Sequence, residues 1–218
     1  MASIVVSGDT SGAITIAAPA ASGTNTLTLP AATDTLVGKA TTDTLTNKSI
    51  VATQLTGTIA AARLPAGSVL QVVSATLTST VSLSGATYQD VTGLSVSITP
   101  VSASNKVLVF GFFNGASADI SYFRLVRGST AICIGDAAGT RVQATGGGWG
   151  TGSNGTWDPA TLPFSFLDSP ATTSATTYKL QLGANSAIAY YVNRGPNDAD
   201  STNSGRSAST ITVMEIAG

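Results

Sequence analysis

The chain contains no histidine, one cysteine, one glutamate and, ahead of Tyr88, no aromatic residue at all. Without an imidazole to act as base or ligand, the usual nucleophilic triads and most zinc sites are excluded. Cys133 stands alone, so no intrachain disulfide supports the fold. It lies in the apolar run Ala131-Ile132-Cys133-Ile134, where alternation reads it as a small buried hydrophobe. A nucleophilic cysteine would want a histidine partner. Charge is sparse as well: 10% of residues are ionic, against roughly 25% in an ordinary soluble protein. The net charge of −1 and the scattered basic residues, with Arg124 and Arg127 the one close pair, leave no footprint for nucleic acid. No apolar window approaches the roughly 18 residues of a membrane span. The first residues, Met1-Ala2-Ser3-Ile4-Val5-Val6, show neither a positive n-region nor a long apolar stretch. The expectation is a product made in the cytoplasm, with no membrane insertion.

The late arrival of aromatics divides the chain. Aromatic side chains carry much of the area that seals a core. A front of Ala, Thr, Ser, Gly and Leu is therefore poorly equipped to fold alone and is expected to bury its surface in an assembly.

What is present is strand-forming. Polarity comes from Ser, Thr, Asn and Gly, while Lys and Glu, which usually line helix faces, are scarce. Residues 1–67 read as an extended attachment and shaft segment with short strands, and residues 68–218 as an all-β head. In the front, Ala13–Ala17 and Thr26–Pro30 alternate across a linker of Pro19, Gly23 and Asn25, a hairpin-like signal. Asp34-Thr35-Leu36 is echoed by Asp43-Thr44-Leu45. Ile59–Leu64 is the one helical turn, stopped by Pro65. Strand-like runs then follow at 68–77, 94–99, 105–113, 120–127, 129–134, 163–167, 177–182, 187–192 and 209–216. Short strands separated by Gly, Asn, Asp and Pro predict a jelly-roll-like antiparallel β-sandwich. Val107–Phe113 is nearly continuous in apolar residues, as in a strand covered on both faces and lying at a subunit interface.

Two loops stand out, from Thr145 to Pro159 and from Asn193 to Ala208. Loops at the ends of a sandwich commonly carry recognition surfaces. Aromatic rings there stack on sugars, and Asn, Asp and Arg supply directional hydrogen bonds. Trp149, Trp157, Tyr190, Tyr191, Arg194 and Asp198 are the candidate receptor-binding residues. The alternative is that Trp157 packs beneath its loop and that Tyr190 and Tyr191 straddle a strand with one ring buried.

Several stretches resemble recurrent elements of tailed-bacteriophage fibre and virion structural proteins. They are Gly8–Ile16, Leu27–Pro30, Thr42–Ile50, Leu64–Val72, Leu167–Pro170 with Thr177–Lys179, and Ser209–Ile216. The resemblance implies a homotrimer whose N-terminal segment docks on phage tail or capsid proteins. Its C-terminal head would meet a host surface glycan or protein. A capsid head-decoration fibre or cement protein is the second expectation, and a polysaccharide-degrading enzyme a more distant one. A glycosidase needs two carboxyl groups across a cleft, and Asp158, Asp168, Asp198 and Asp200 sit mostly in turn-like loops. Asp198-Ala199-Asp200 with Asn203 is oxygen-rich but lacks the EF-hand offsets, and reads as a solvated loop. Gly146–Gly152 lacks the Gly-Lys-Ser/Thr ending of a phosphate loop. No catalytic residue, metal site or cofactor is expected.

Overall fold

The computed structural model describes residues 3–7, 11–17, 24, 31, 49–51, 53, 56–57, 59–117, 119–149, 159–184 and 186–218. The expected strand at Thr26–Pro30, the Asp34/Asp43 echo, Trp157 and Asp158 lie outside these residues. The chain divides into two compact units, residues 1–56 and 57–218. In the first, β1 (Ser3–Ser7) pairs antiparallel with β2 (Ala13–Ala17), with Val5 opposite Thr15. The strand over 13–17 is thus present, and its described partner is the preceding segment. Val5 and Val6 on β1 are exposed.

The second unit is an antiparallel β-sandwich. Its chain enters through a 3-10 turn at Ala61–Arg63, which ends where Leu64 turns extended ahead of Pro65. Gly67 N–H then donates to Ala217 O at 2.8 Å, and Ala217 N–H donates to Ser68 O at 2.9 Å, tying the entry to the last strand. The strands follow in order: β3 (Val69–Leu77), β4 (Val81–Gly85), β5 (Gln89–Ile98), β6 (Lys106–Ser117), β7 (Ser121–Arg127), β8 (Thr130–Ile132), β9 (Gly146–Trp149), β10 (Ala160–Asp168), β11 (Thr176–Ala184), β12 (Ile188–Val192) and β13 (Ser209–Ile216). Two of these were not expected. β4 is a Ser-rich run. β9 is a glycine run where a loop was expected, and it pairs through its backbone, Gly146 lying opposite Phe123. A Cβ on Gly146 would fall 2.5 Å from the Phe123 ring, so the missing side chain makes room for a core aromatic.

One sheet holds β3, β4, β6, β10, β12 and β13; the other holds β5, β11 and β7, with β8 and β9 also pairing β7. Inward side chains of both sheets interdigitate. Phe113 and Phe123 meet edge to face at 5.0 Å, and Phe164 lies 6.2 Å from Phe123. Around them Leu94, Leu125, Leu180, Leu182, Val109 and Val213 are buried. Full burial of each such side chain contributes about 1.5–3 kcal/mol. One ion pair links the sheets: Arg127 of β7 donates to both oxygens of Asp168 of β10 at 2.8 and 2.9 Å, and Tyr178 Oη donates to Asp168 at 2.7 Å. Burial, and then the hydrogen bond to Asp168 and its charge, push the Tyr178 phenol well above its ordinary pKa. The single glutamate, Glu215, is buried and has no ion-pair partner among the described residues. It accepts from Gln71 Nε2, Asn105 Nδ2 and the Val101 N–H, at 2.5, 2.5 and 2.7 Å.

The six-stranded sheet contains a break. On one edge of β6, β10 pairs Val107 to Gly115; on the other edge β13 pairs Lys106 to Phe112 and β12 pairs Gly115 to Ser117. β12 and β13 are therefore two halves of one strand line from which residues 193–208 leave and return. Asn193, at φ 61°, closes the gap. Its N–H donates to Asn114 O, and its side-chain amide donates to Leu77 O and Ser79 O. Ser209 Oγ donates to Asn193 Oδ1 at 2.6 Å and accepts from the Asn114 N–H at 2.9 Å. Both backbone groups of Asn114 that face the interruption are thereby paired, while in the excursion Ser204 Oγ and Ser207 Oγ are buried without a hydrogen bond among the described residues.

The outer faces of the two sheets differ. On the five-stranded sheet, Asp90, Lys179, Gln181, Arg124 and Tyr122 point outward. On the six-stranded sheet three cross-strand rows point outward: Pro163-Phe112-Thr210-Thr76, Ser165-Phe110-Thr212-Ser74 and Leu167-Leu108-Met214-Val72. None of these twelve residues is charged. Val107–Phe113, expected to be covered on both faces, is covered on its inner face, while outward Phe112 is 40% exposed.

Candidate functional site

Alternation along β12 decides the fate of its two tyrosines. Tyr190 lies opposite Ser117 and Leu83 and points inward; Tyr191 lies opposite Ala116 and Ser82 and points outward. Tyr190 is 1% exposed, its hydroxyl donates to Gly85 O, and burial raises its pKa. It is a core residue, and its expected place on a receptor surface is corrected: a ring inside the sandwich cannot touch a ligand outside it.

Tyr191, Arg194 and Asp198 do come together. The Arg194 guanidinium lies 4.1 Å over the Tyr191 ring, a cation–π contact that stabilises by about 0.5–2 kcal/mol as it loses water. Its Nη2 donates to Ser82 Oγ at 2.9 Å and its Nη1 to Gly195 O at 3.2 Å. Asp198 sits between two arginines, with Oδ2 3.8 Å from Arg194 and Oδ1 2.7 Å from Arg206. Arg194 and Arg206 also form a backbone bridge that closes the base of the loop. Arg194 is only 14% exposed, and so is fixed; Arg206 is 57% exposed and presents its fork to solvent.

Arg206 and Ser82 are residues that the sequence reading missed. Arg206 stands twelve residues beyond Arg194 and Ser82 lies on a different strand, so only sheet register brings them together. The assembly carries two guanidinium groups and one carboxylate beside an aromatic ring. Such a set can hold an anionic or hydroxyl-rich group, because planar guanidinium donors match oxygen pairs and the ring offers a stacking edge.

Of the remaining candidates, Trp149 ends β9 opposite Ser121, and Trp157 lies outside the described residues. The roots of the two expected loops flank one residue. Gly115 of β6 has Ala160, where the chain returns from the first loop, on one side and Val192, where the second loop leaves, on the other.

A second polar assembly, also unforeseen, covers the outer face of the five-stranded sheet. Arg124 lies 4.0 Å over the Tyr88 ring and donates to Gln181 Oε1 at 2.8 Å. Gln181 and Lys179 donate to the two oxygens of Asp90 at 2.6 and 2.7 Å. Partial burial pushes the Asp90 pKa up, but the hydrogen bonds from Lys179 and Gln181 and the charges of Lys179 and Arg124 outweigh it and hold the group below the usual value. These groups satisfy one another, so the surface is structurally complete without a ligand. Asp168, a carboxylate considered for hydrolysis, is held in the inter-sheet ion pair.

No family model matches the chain, and no curated protein matches it. Among solved structures, one of infectious bursal disease virus Gt strain is similar at 13% identity and a TM-score of 0.36. That match covers 68% of this chain, and the chain spans 38% of the length of that one. At this score the likeness carries no argument about function.

Proposed function

We propose that this chain is a virion structural protein, a subunit of a trimeric bacteriophage tail fibre whose sandwich head recognises the host cell surface. The front segment is the part that attaches to the phage, consistent with its fibre-like elements and its exposed Val5 and Val6. The observation that carries the reading is the Tyr191-Arg194-Asp198-Arg206 assembly: a cationic, aromatic cluster on a loop whose base is locked to a rigid sheet. Sites held on rigid elements lose less entropy on binding. The ligand class is a host glycan or protein surface bearing carboxylate or clustered hydroxyl groups.

Adsorption of particles carrying Tyr191→Ala or Arg206→Ala tests the reading. Contacts of this kind each contribute on the order of 1–3 kcal/mol, and several heads per particle multiply the loss. Adsorption is expected to fall at least tenfold, with incorporation into particles unchanged. Normal adsorption by both variants would move the function to capsid decoration.

A further inference from the structure

The apolar outer face of the six-stranded sheet has a composition that water alone does not explain. Three adjacent rows place Phe112, Phe110, Leu108, Met214 and Leu167 side by side, and Phe112, Leu167 and Val72 are 40%, 49% and 53% exposed. Three of its five hydroxyls are engaged within the sheet. Ser74 Oγ and Thr212 Oγ1 share a hydrogen bond at 2.8 Å, and Thr210 Oγ1 donates to Ala75 O at 3.2 Å. Covering this surface would orphan none of these three groups, which confines the usual penalty for covering polar side chains to Ser165 and Thr76 on the outermost strands.

We propose that this face packs against a second copy of this chain. Two features select that occupant. The three rows contain no charge, Lys106 standing just beyond the Leu108 row, and the whole chain carries a net charge of −1, so the rows themselves meet a second copy without like-charge repulsion. The area also fits. Three strand spacings of about 4.8 Å by two steps of about 6.8 Å, with side-chain breadth added, give about 400 Å². A stable interface takes about 800 Å² from each partner and is a little over half apolar. The rows thus supply the apolar centre of an interface, and the polar residues bordering them supply its rim. The proposal does not depend on what the head binds.

Sedimentation velocity on the full chain tests it. Wild type is expected to associate at micromolar concentration. Phe112→Lys and Leu167→Lys, whose side chains already reach solvent, are expected to sediment as monomers with an unchanged β circular dichroism spectrum. Ser95→Lys, on the outer face of the other sheet, is expected to assemble like wild type. A second measurement needs no variant. Met214 lies on the Leu108 row of the face and is partly exposed, and its oxidation by peroxide, read by mass spectrometry, is expected to slow at least fivefold between dissociated and associated protein. A wild-type chain that stays monomeric overturns the proposal. So does association that survives both lysine substitutions, or Met214 oxidation that ignores association. Loss of adsorption with intact assembly, by contrast, bears only on the receptor reading.

Discussion

The two outer faces of the sandwich obey the same alternation and end in opposite chemistry. On the five-stranded sheet polar side chains dominate the outward positions, and they close on themselves: Tyr88 under Arg124, Arg124 to Gln181, Gln181 and Lys179 to Asp90. On the six-stranded sheet the same positions carry Leu108, Phe110, Phe112 and Met214. The first surface is finished as a monomer. The second pairs its central hydroxyls and leaves its apolar area uncovered. A strand that faces water on one side ordinarily alternates apolar with polar, and β6 does not.

The largest expected effect comes from the Arg127–Asp168 ion pair that joins the sheets behind these faces. Asp168→Ala leaves Arg127 and the Tyr178 hydroxyl without their shared partner. Removing one member of a buried pair costs about 3–5 kcal/mol, and the partial exposure of Arg127 places this one near the lower end. Urea denaturation of the variant measures it.

The outer faces are expected to separate stability from association. Arg124→Ala removes a cation–π contact and a hydrogen bond on the polar face and is expected to lower unfolding stability by about 1 kcal/mol, with association unchanged. Leu167→Ser, on the apolar face, is expected to change unfolding stability by less than about 0.5 kcal/mol while weakening association. If both substitutions moved both quantities together, the division of labour between the faces would be wrong.

Titration gives smaller effects. The Tyr178 pKa is raised in the folded chain, so its contribution is complete below the ordinary tyrosine value of 10.0 and is lost as pH rises above it. Alkaline unfolding followed between pH 9 and 12 is expected to be less steep in Tyr178→Phe. The Asp90 pKa is lowered, so its contribution is present above the ordinary value of 3.8 and is lost as pH falls through the folded pKa below it. Asp90→Asn is expected to flatten the acid limb slightly, the group being solvent-facing.

Strands with full β-branched alternation were legible in the sequence. Ser209–Ile216 was expected to the residue, and the expected 105–113 lies within or beside β6 at Lys106–Ser117. β4 and β9 were not, because serine and glycine carry little strand propensity and both elements exist through their pairing partners. At the site, local spacing pointed to Tyr191, Arg194 and Asp198. That only one of the neighbouring tyrosines faces out follows from alternation, but which one depends on the register of β12 against Ser117 and Ala116. Arg206 and Ser82 were hidden for the same reason, since their proximity is created by strands far apart in the chain.

The Asn193 junction sets how this sandwich can change. Because Asn193, Asn114 and Ser209 hold both ends of the gap at fixed positions, the sheet keeps its pairing whatever length of chain runs between them. The cost of a longer excursion is then little more than the slow logarithmic growth of loop entropy. Residues 199–205 form a cassette: a segment in which insertions and replacements are absorbed while the strand pairing of the sandwich stays the same.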